Sequence, residues 1–274
     1  MRARSFWLSQ LPLSCRTCEF AVRTLMILVE YDGTDFFGWQ RQEGVPTIQG
    51  ALEEALSGIL GETVRIEGSG RTDRGVHALA HPASFTTRSR LPLERIRLGC
   101  NAKLPEAIAL KEVLEVPPGF HARHHAVSKI YRYTLHNGSS RSPLRGRFAA
   151  YEPRPLVVAA MHHAGQHLVG RHDFFSLATH ARLKESTVRT IHWLTVRRRS
   201  ADPDVVELDV CGDGFLYNQV RTLAGTLVEV GLGQRLPREV AALVQTRDRT
   251  MAGANLPPHG LCLVAVQYPE AWLK

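Results

Sequence analysis

The 274-residue chain has no run of about eighteen apolar residues, so no transmembrane helix is expected. It has no GxxxxGK segment. Its GxG pairs, Gly68/Gly70 and Gly231/Gly233, lack the third glycine of a dinucleotide fingerprint, so no nucleotide cofactor is indicated. No HExxH occurs. His121, His124, His125, His163 and His167 invite a metal reading, but no cysteine cluster stands near them, and no metal is expected. Cysteine itself is scarce. Cys15, Cys18, Cys100, Cys211 and Cys262 form no dense framework, which fits a reducing, cytoplasmic setting. Cys15 and Cys18 make a CxxC with no matching pair at zinc-site spacing, which argues against a metal or redox role.

Acidic residues are in deficit. Lys and Arg number 34 against 26 Asp and Glu, a net charge of +8. That excess points to an anionic partner, nucleic acid first, although a merely basic globular protein shows the same balance. Residues 1–25 differ from the remainder: Arg2, Arg4, Arg16 and Arg23 face only Glu19. Ser9, Gln10 and Pro12 break their apolar stretch, which makes a poor signal-peptide core. Residues 1–25 therefore read as an extension, either a disordered tail or a stretch preceding a true start at Met26.

From Met26 the elements become legible. Residues 26–31 read as a buried strand ending at Asp32-Gly33. Residues 47–60 read as a helix capped by Thr47, with Ile48, Leu52, Ala55, Leu56 and Ile59 at helical spacing. Strands are predicted at 63–67, 78–85 and 107–116, and a short helix at 93–102. Pro117-Pro118-Gly119 marks the best internal boundary, dividing 26–118 from 119–274. Beyond it, 129–136, 187–198, 206–211 and 261–268 read as strands, and 156–168 and 215–231 as helices. Strands and helices mix without regular βαβ alternation, which favours an α+β fold with a largely antiparallel sheet.

One loop carries candidate chemistry: Gly68-Ser69-Gly70-Arg71-Thr72-Asp73-Arg74-Gly75-Val76-His77-Ala78. Its glycines permit tight turns. Its single carboxylate, Asp73, sits between two arginines that are expected to lower its pKa and that suit phosphate. The alternative is a surface turn with an Asp–Arg pair. Tyr131 and Tyr133 alternate in a strand and so share a face, with Arg132 opposite. An exposed tyrosine there stacks on a base, or else packs across strands. On the helix predicted at 215–231, Tyr217 and Arg221 lie four apart beside the apolar stripe. Arg221 either reaches into a cleft as an ion-pair partner or stays solvated.

With these pieces in order, the chain resembles the TruA family of tRNA pseudouridine synthases from about Met26 to Pro269. The resemblance rests on Glu30-Tyr31-Asp32-Gly33, Phe37-Gly38-Trp39-Gln40-Arg41-Gln42, Gly70-Arg71-Thr72-Asp73-Arg74-Gly75-Val76-His77-Ala78, Phe120-His121-Ala122-Arg123, Lys129-Ile130-Tyr131-Arg132-Tyr133 and Gly214-Phe215-Leu216-Tyr217-Asn218-Gln219-Val220-Arg221. It implies two similar α+β subdomains forming one largely antiparallel sheet flanked by helices. It also implies a homodimer with a basic cleft, no cofactor, and uridine at positions 38–40 of the tRNA anticodon arm as substrate. Asp73 matches the catalytic aspartate, Tyr131 the active-site tyrosine, and Arg221 the basic residue that pairs with the aspartate. Arg71 matches an arginine that handles the RNA, and Arg74, Arg41, Arg123 and Lys129 are the further candidate RNA contacts. The competing reading is a catalytically silent tRNA-binding protein or RNA chaperone on the same scaffold. The presence of Asp73, Tyr131 and Arg221 together favours the enzyme.

Overall fold

The computed structural model describes residues 22–179 and 186–272, so Cys15, Cys18 and most of the expected extension lie outside the described residues. The first strand, β1 (Arg23–Tyr31), begins three residues before the expected start at Met26. Thr24 and Leu25 are buried and pair with Thr86 and Phe85, and the Arg23 guanidinium donates to the Leu91 carbonyl at 2.6 Å. Residues 23–25 thus belong to the sheet. β1 lies between β3 (His77–Thr87) and β4 (Ile108–Val116), antiparallel to both.

Helix α1 (Ile48–Leu60) starts where the Thr47 hydroxyl accepts from the Gly50 amide and stops at Gly61, which adopts a left-handed conformation. Its buried residues Ile48, Leu52, Ala55 and Leu56 follow helical spacing. The strand predicted at 63–67 shrinks to β2 (Glu67–Gly68). Side chains of α1 take the backbone groups that a ladder would have used. The Val64 amide donates to Ser57 Oγ at 2.9 Å and the Ile66 amide to Glu53 Oε1 at 3.2 Å. A short helix, α2 (Leu93–Asn101), follows before β4.

The second half supplies β5 (Ser128–His136), β6 (Ala150–Tyr151), α3 (Val158–Gln166), β7 (Gly170–Asp173), β8 (Val188–Arg199), β9 (Asp202–Gly212), α4 (Gln219–Gly231), α5 (Pro237–Ala242) and β10 (Leu261–Gln267). Among the described residues all strands join one ten-stranded sheet in the order β4-β1-β3-β10-β5-β9-β8-β7, with β2 on β3 and β6 on β5. Of the strand pairs among the described residues only β3–β10 and β5–β6 are parallel, so the fold is α+β with a mostly antiparallel sheet. β10 alone joins the β4-β1-β3 half to the β5-β9-β8-β7 half.

The alternation of β5 and β9 sorts chemistry by face. Tyr133, Leu208 and Val210 enter a core shared with Leu223 and Leu227 of α4 and Met161 of α3. On the other face, Glu207 and Asp209 are nearly buried beneath arginines. Arg132 and Arg197 reach Asp209 at 2.7 and 2.8 Å, and Arg197 and Arg199 reach Glu207 at 2.7 and 2.5 Å. Buried carboxylates need such partners, because an unpaired one is strongly disfavoured away from water.

Two turns fix the loop that follows β2. A Cβ at Gly33 would lie 2.0 Å from the Val76 carbonyl oxygen. Gly38 has φ +85, and a Cβ there would lie 2.6 Å from the Thr72 carbonyl oxygen. Backbone therefore packs on backbone, which no side chain permits. Gly38→Ala is expected to lose about 1–3 kcal/mol of stability from the forced left-handed conformation alone. Chemical denaturation measures this, and wild-type stability would show that the two loops are not locked together.

Candidate active site

The loop from Ser69 to Val76 is held at nearly every step. The Ser69 amide donates to the Pro82 carbonyl at 2.8 Å, and Lys129 Nζ donates to the Ser69 carbonyl at 2.6 Å. The Trp39 amide donates to the Thr72 carbonyl at 3.0 Å. Thr72 Oγ1 and the Tyr31 hydroxyl are 2.8 Å apart, and that hydroxyl lies 2.9 Å from His81 Nδ1. The His81 ring stacks on Trp39 with centroids 3.7 Å apart. Burial drives the His81 pKa down to about 3, so the imidazole is neutral. The Val76 amide closes the turn on the Asp73 carbonyl at 3.1 Å. Thr72 is thus fixed through both its carbonyl and its hydroxyl, and Asp73 is the next residue.

Asp73 borders a cavity of about 760 Å³ that both halves of the sheet build. The loop contributes Arg71, Thr72 and Asp73, β5 contributes Lys129 and Tyr131, and the segment entering α4 contributes residues 215–221. Arg123 and Leu261 complete the wall. Tyr131 is nearly buried, edge-on to Phe215 with ring centroids 5.3 Å apart. Burial, then the Asp73 charge, pushes its phenol well above the ordinary tyrosine value, so it stays neutral. Tyr133 leaves the site: it is fully buried, and its hydroxyl donates to the Pro257 carbonyl.

The electrostatics of Asp73 differ from the expectation. Its flanking arginines do not lower its pKa. Burial raises it above the ordinary aspartate value, and Arg221 partly opposes the rise. Arg74 turns away to lie over the Phe37 ring, 4.3 Å from its centroid. Arg71 faces the cavity but is exposed to solvent. Among the described residues Arg221 is the nearest cation, with NH1 3.8 Å from Asp73 Oδ2. Its Nε donates to the Leu256 carbonyl at 2.7 Å and its NH1 to Asn218 Oδ1 at 2.8 Å.

The helix predicted at 215–231 begins only at Gln219. Asn218 has φ 61 and breaks the helical run before it. Tyr217 therefore precedes α4, and the two residues do not share one helix as their spacing suggested. Arg41 lies outside the cavity and pairs with Glu53 of α1 at 2.8 Å, a carboxylate that Arg65 also reaches at 2.7 Å. Arg123 and Lys129 do face the cavity. Burial lowers the Lys129 pKa to about 8. Among the histidines, His125 stacks on Trp272 and its Nδ1 accepts from the His121 amide. Among the described residues, no helix is long and apolar enough to cross a membrane.

Sequence reasoning missed Asn218, Thr72, His81 and the Leu256 carbonyl as parts of this site. Only Asn218 left a trace, as a residue tolerant of left-handed backbone just ahead of an apolar helix. The others act through long-range contacts that no spacing encodes.

The model of the tRNA pseudouridine synthase family matches residues 27–125 and 164–269, and the chain belongs to that family of RNA-modifying isomerases. Among its relatives is tRNA pseudouridine synthase A of Pelobacter propionicus, 44% identical over 247 residues, with 90% of this chain and 100% of the relative covered. Proteins of the same name in Geotalea uraniireducens and Caldicellulosiruptor bescii are 43% and 40% identical, again over 90% of this chain and 100% of each relative.

The raised Asp73 pKa fixes a pH dependence. The native state holds the proton to higher pH than the unfolded chain does, so Asp73 ionisation costs stability as pH rises through the folded pKa. Asp73→Asn cannot ionise. Its stability relative to wild type is expected to climb from the ordinary aspartate pKa upward and level off above the folded value. Urea titrations at stepped pH read this, and a difference that falls with pH would show that Asp73 is stabilised as the anion.

Proposed function

We propose that the protein isomerises uridine to pseudouridine at positions 38, 39 and/or 40 of the tRNA anticodon arm, with Asp73 as its catalytic carboxylate. The observation that carries this reading is a carboxylate withdrawn from water in a cavity that also holds Tyr131 and Arg221. The reaction breaks the C1′–N1 bond, turns the uracil and joins C1′ to C5, releasing the C5 proton. The carboxylate enters by attack at C1′, by attack on the base, or by taking the C2′ proton. All three begin with an ionised and poorly solvated oxygen. Burial strengthens Asp73 as nucleophile and base, and the Arg221 charge favours its ionised form.

A volume of about 760 Å³ suits one nucleotide and falls within the usual range of ligand pockets. A base stacked in the anticodon arm must flip out to enter it. Tyr131, braced by Phe215, offers a surface for the detached uracil. Arg71, Arg123 and Lys129 line the wall where phosphates of an entering strand would lie. Lys129 is still protonated at neutral pH, so its contact also depends on salt. A homodimer that extends this basic wall is part of the proposal, on the strength of the family resemblance.

Tritium release from tRNA labelled at uridine C5, without added metal or nucleotide, tests the reading. Asp73→Ala is expected to lose at least about 10²–10⁴-fold in turnover while tRNA affinity survives. Arg221→Ala is expected to lose about 10²–10³-fold. Retained activity in Asp73→Ala would overturn the catalytic assignment. No release by wild type from any tRNA, with tight binding, would favour the binding-protein reading. Mapping the product by mass spectrometry then assigns the modified positions.

A further inference from the structure

Asn218 is the only non-glycine residue with positive φ among the described residues, at φ 61 and ψ 3. Asn tolerates this region better than most residues, but such an outlier persists only where its surroundings require it. It occupies the N-cap position of α4, where an asparagine ordinarily accepts an amide of the first helical turn. Here its side chain caps nothing. The left-handed backbone instead sends the amide sideways. Oδ1 accepts from Arg221 NH1 at 2.8 Å, and Nδ2 donates to Thr179 Oγ1 at 2.6 Å. Arginine only donates, so this network fixes which end of the amide faces Arg221.

The same nitrogen, Arg221 NH1, lies 3.8 Å from Asp73 Oδ2, beyond hydrogen-bond distance. Its guanidinium is thus held on two sides, by the Leu256 carbonyl at Nε and by Asn218 at NH1. We propose that Asn218 is a positioning residue: it holds the Arg221 guanidinium back from Asp73 and thereby sets how basic the catalytic carboxylate is. Contact at a full hydrogen bond would make Asp73 a comfortable, weakly basic anion. Without Arg221, nothing would oppose the burial that raises the carboxylate's pKa. The observed separation lies between these limits, and the Asn218–Thr179 contact maintains it. This inference rests on the catalytic reading of Asp73 given above.

Other titratable and charged groups surround the pair. Tyr131 faces Asp73 from β5, and Arg71, Arg123 and Lys129 line the same cavity. Tyr133 and His259 lie within electrostatic reach of Arg221. The Asn218 substitutions leave all of these groups in place, and His259, held below the ordinary histidine value by burial and then by Arg221, titrates in wild type and variants alike, so the comparison among them reads the Arg221 geometry.

The test compares the pH dependence of kcat/KM, read by tritium release, for wild type, Asn218→Gly and Asn218→Asp. Gly and Asp both accept left-handed backbone, so helix α4 retains its start. Asn218→Gly frees NH1 to close on Asp73, and the acid limb is expected to move down by about half to one pH unit. Asn218→Asp gives Arg221 a competing carboxylate and places like charge near Asp73, and the limb is expected to move up by about the same amount. Opposite shifts, with tRNA affinity little changed, are not produced by general loosening of the fold. Unmoved limbs, or shifts in one direction for both variants, would overturn the role of Asn218. Asp73→Asn is the control that separates the two levels. Its turnover, if retained, sinks the catalytic reading, whereas an inactive Asp73→Asn with unmoved Asn218 limbs sinks only this inference.

Discussion

The site depends on one compromise: a carboxylate removed from water with its guanidinium neighbour kept out of direct contact. Removing Asp73 from solvent raises its pKa, and Arg221 at 3.8 Å returns only part of the lost stabilisation. Such a group is costly, and it stays in place because the surrounding backbone leaves no alternative. Gly33 and Gly38 bring one loop against the carbonyls of Val76 and Thr72, and Tyr31 and Lys129 anchor the rest. A neutral, fully buried His81 lies beneath, stacked on Trp39. Apart from the Lys129 ammonium, the rigidity is built from neutral contacts, and Asp73 and Arg221 are left to do electrostatic work.

Most regular elements were legible in the sequence, for reasons visible in particular residues. Ile48, Leu52 and Leu56 share one side of α1, and the alternation of Val206, Leu208 and Val210 puts one face of β9 in the core. The misreadings have physical causes. Glu53 and Ser57 satisfy the backbone before β2, so a strand-like sequence forms almost no ladder. Asn218 delays α4 by a turn although the apolar pattern runs through. At the site, Asp73, Tyr131 and Arg221 were found from motifs and do share a cavity. The sign of the Asp73 shift was misjudged because sequence neighbours were treated as spatial neighbours. Arg74 is adjacent in the chain yet spends its guanidinium on Phe37.

The same lesson applies to net charge. Arg132, Arg197 and Arg199 cover Glu207 and Asp209, Arg41 and Arg65 share Glu53, and Arg147 holds Asp32 and Asp35. Many of the basic residues that make the chain look like a nucleic-acid binder are thus engaged in internal pairs. Among the described residues the cations that line the cavity are few, namely Arg71, Arg123, Lys129 and Arg221. Composition indicated the kind of partner, but the fold decides where that partner is met.

The position of β10 bears on how the site comes into being. Asp73 leads into β3, whereas Tyr131 lies on β5, and these strands meet only through Leu261–Gln267. Without that stretch β3 and β5 would each present an open edge, and side-chain contacts such as that of Lys129 with Ser69 would have to hold the two sides of the cavity together. Assembly is thus governed by contacts of long sequence separation, which are slow to form. A partly folded chain with its first sheet complete has a carboxylate but neither the ring nor the guanidinium to go with it. The cavity that joins carboxylate, ring and guanidinium is thus a product of the completed sheet and not of either half alone.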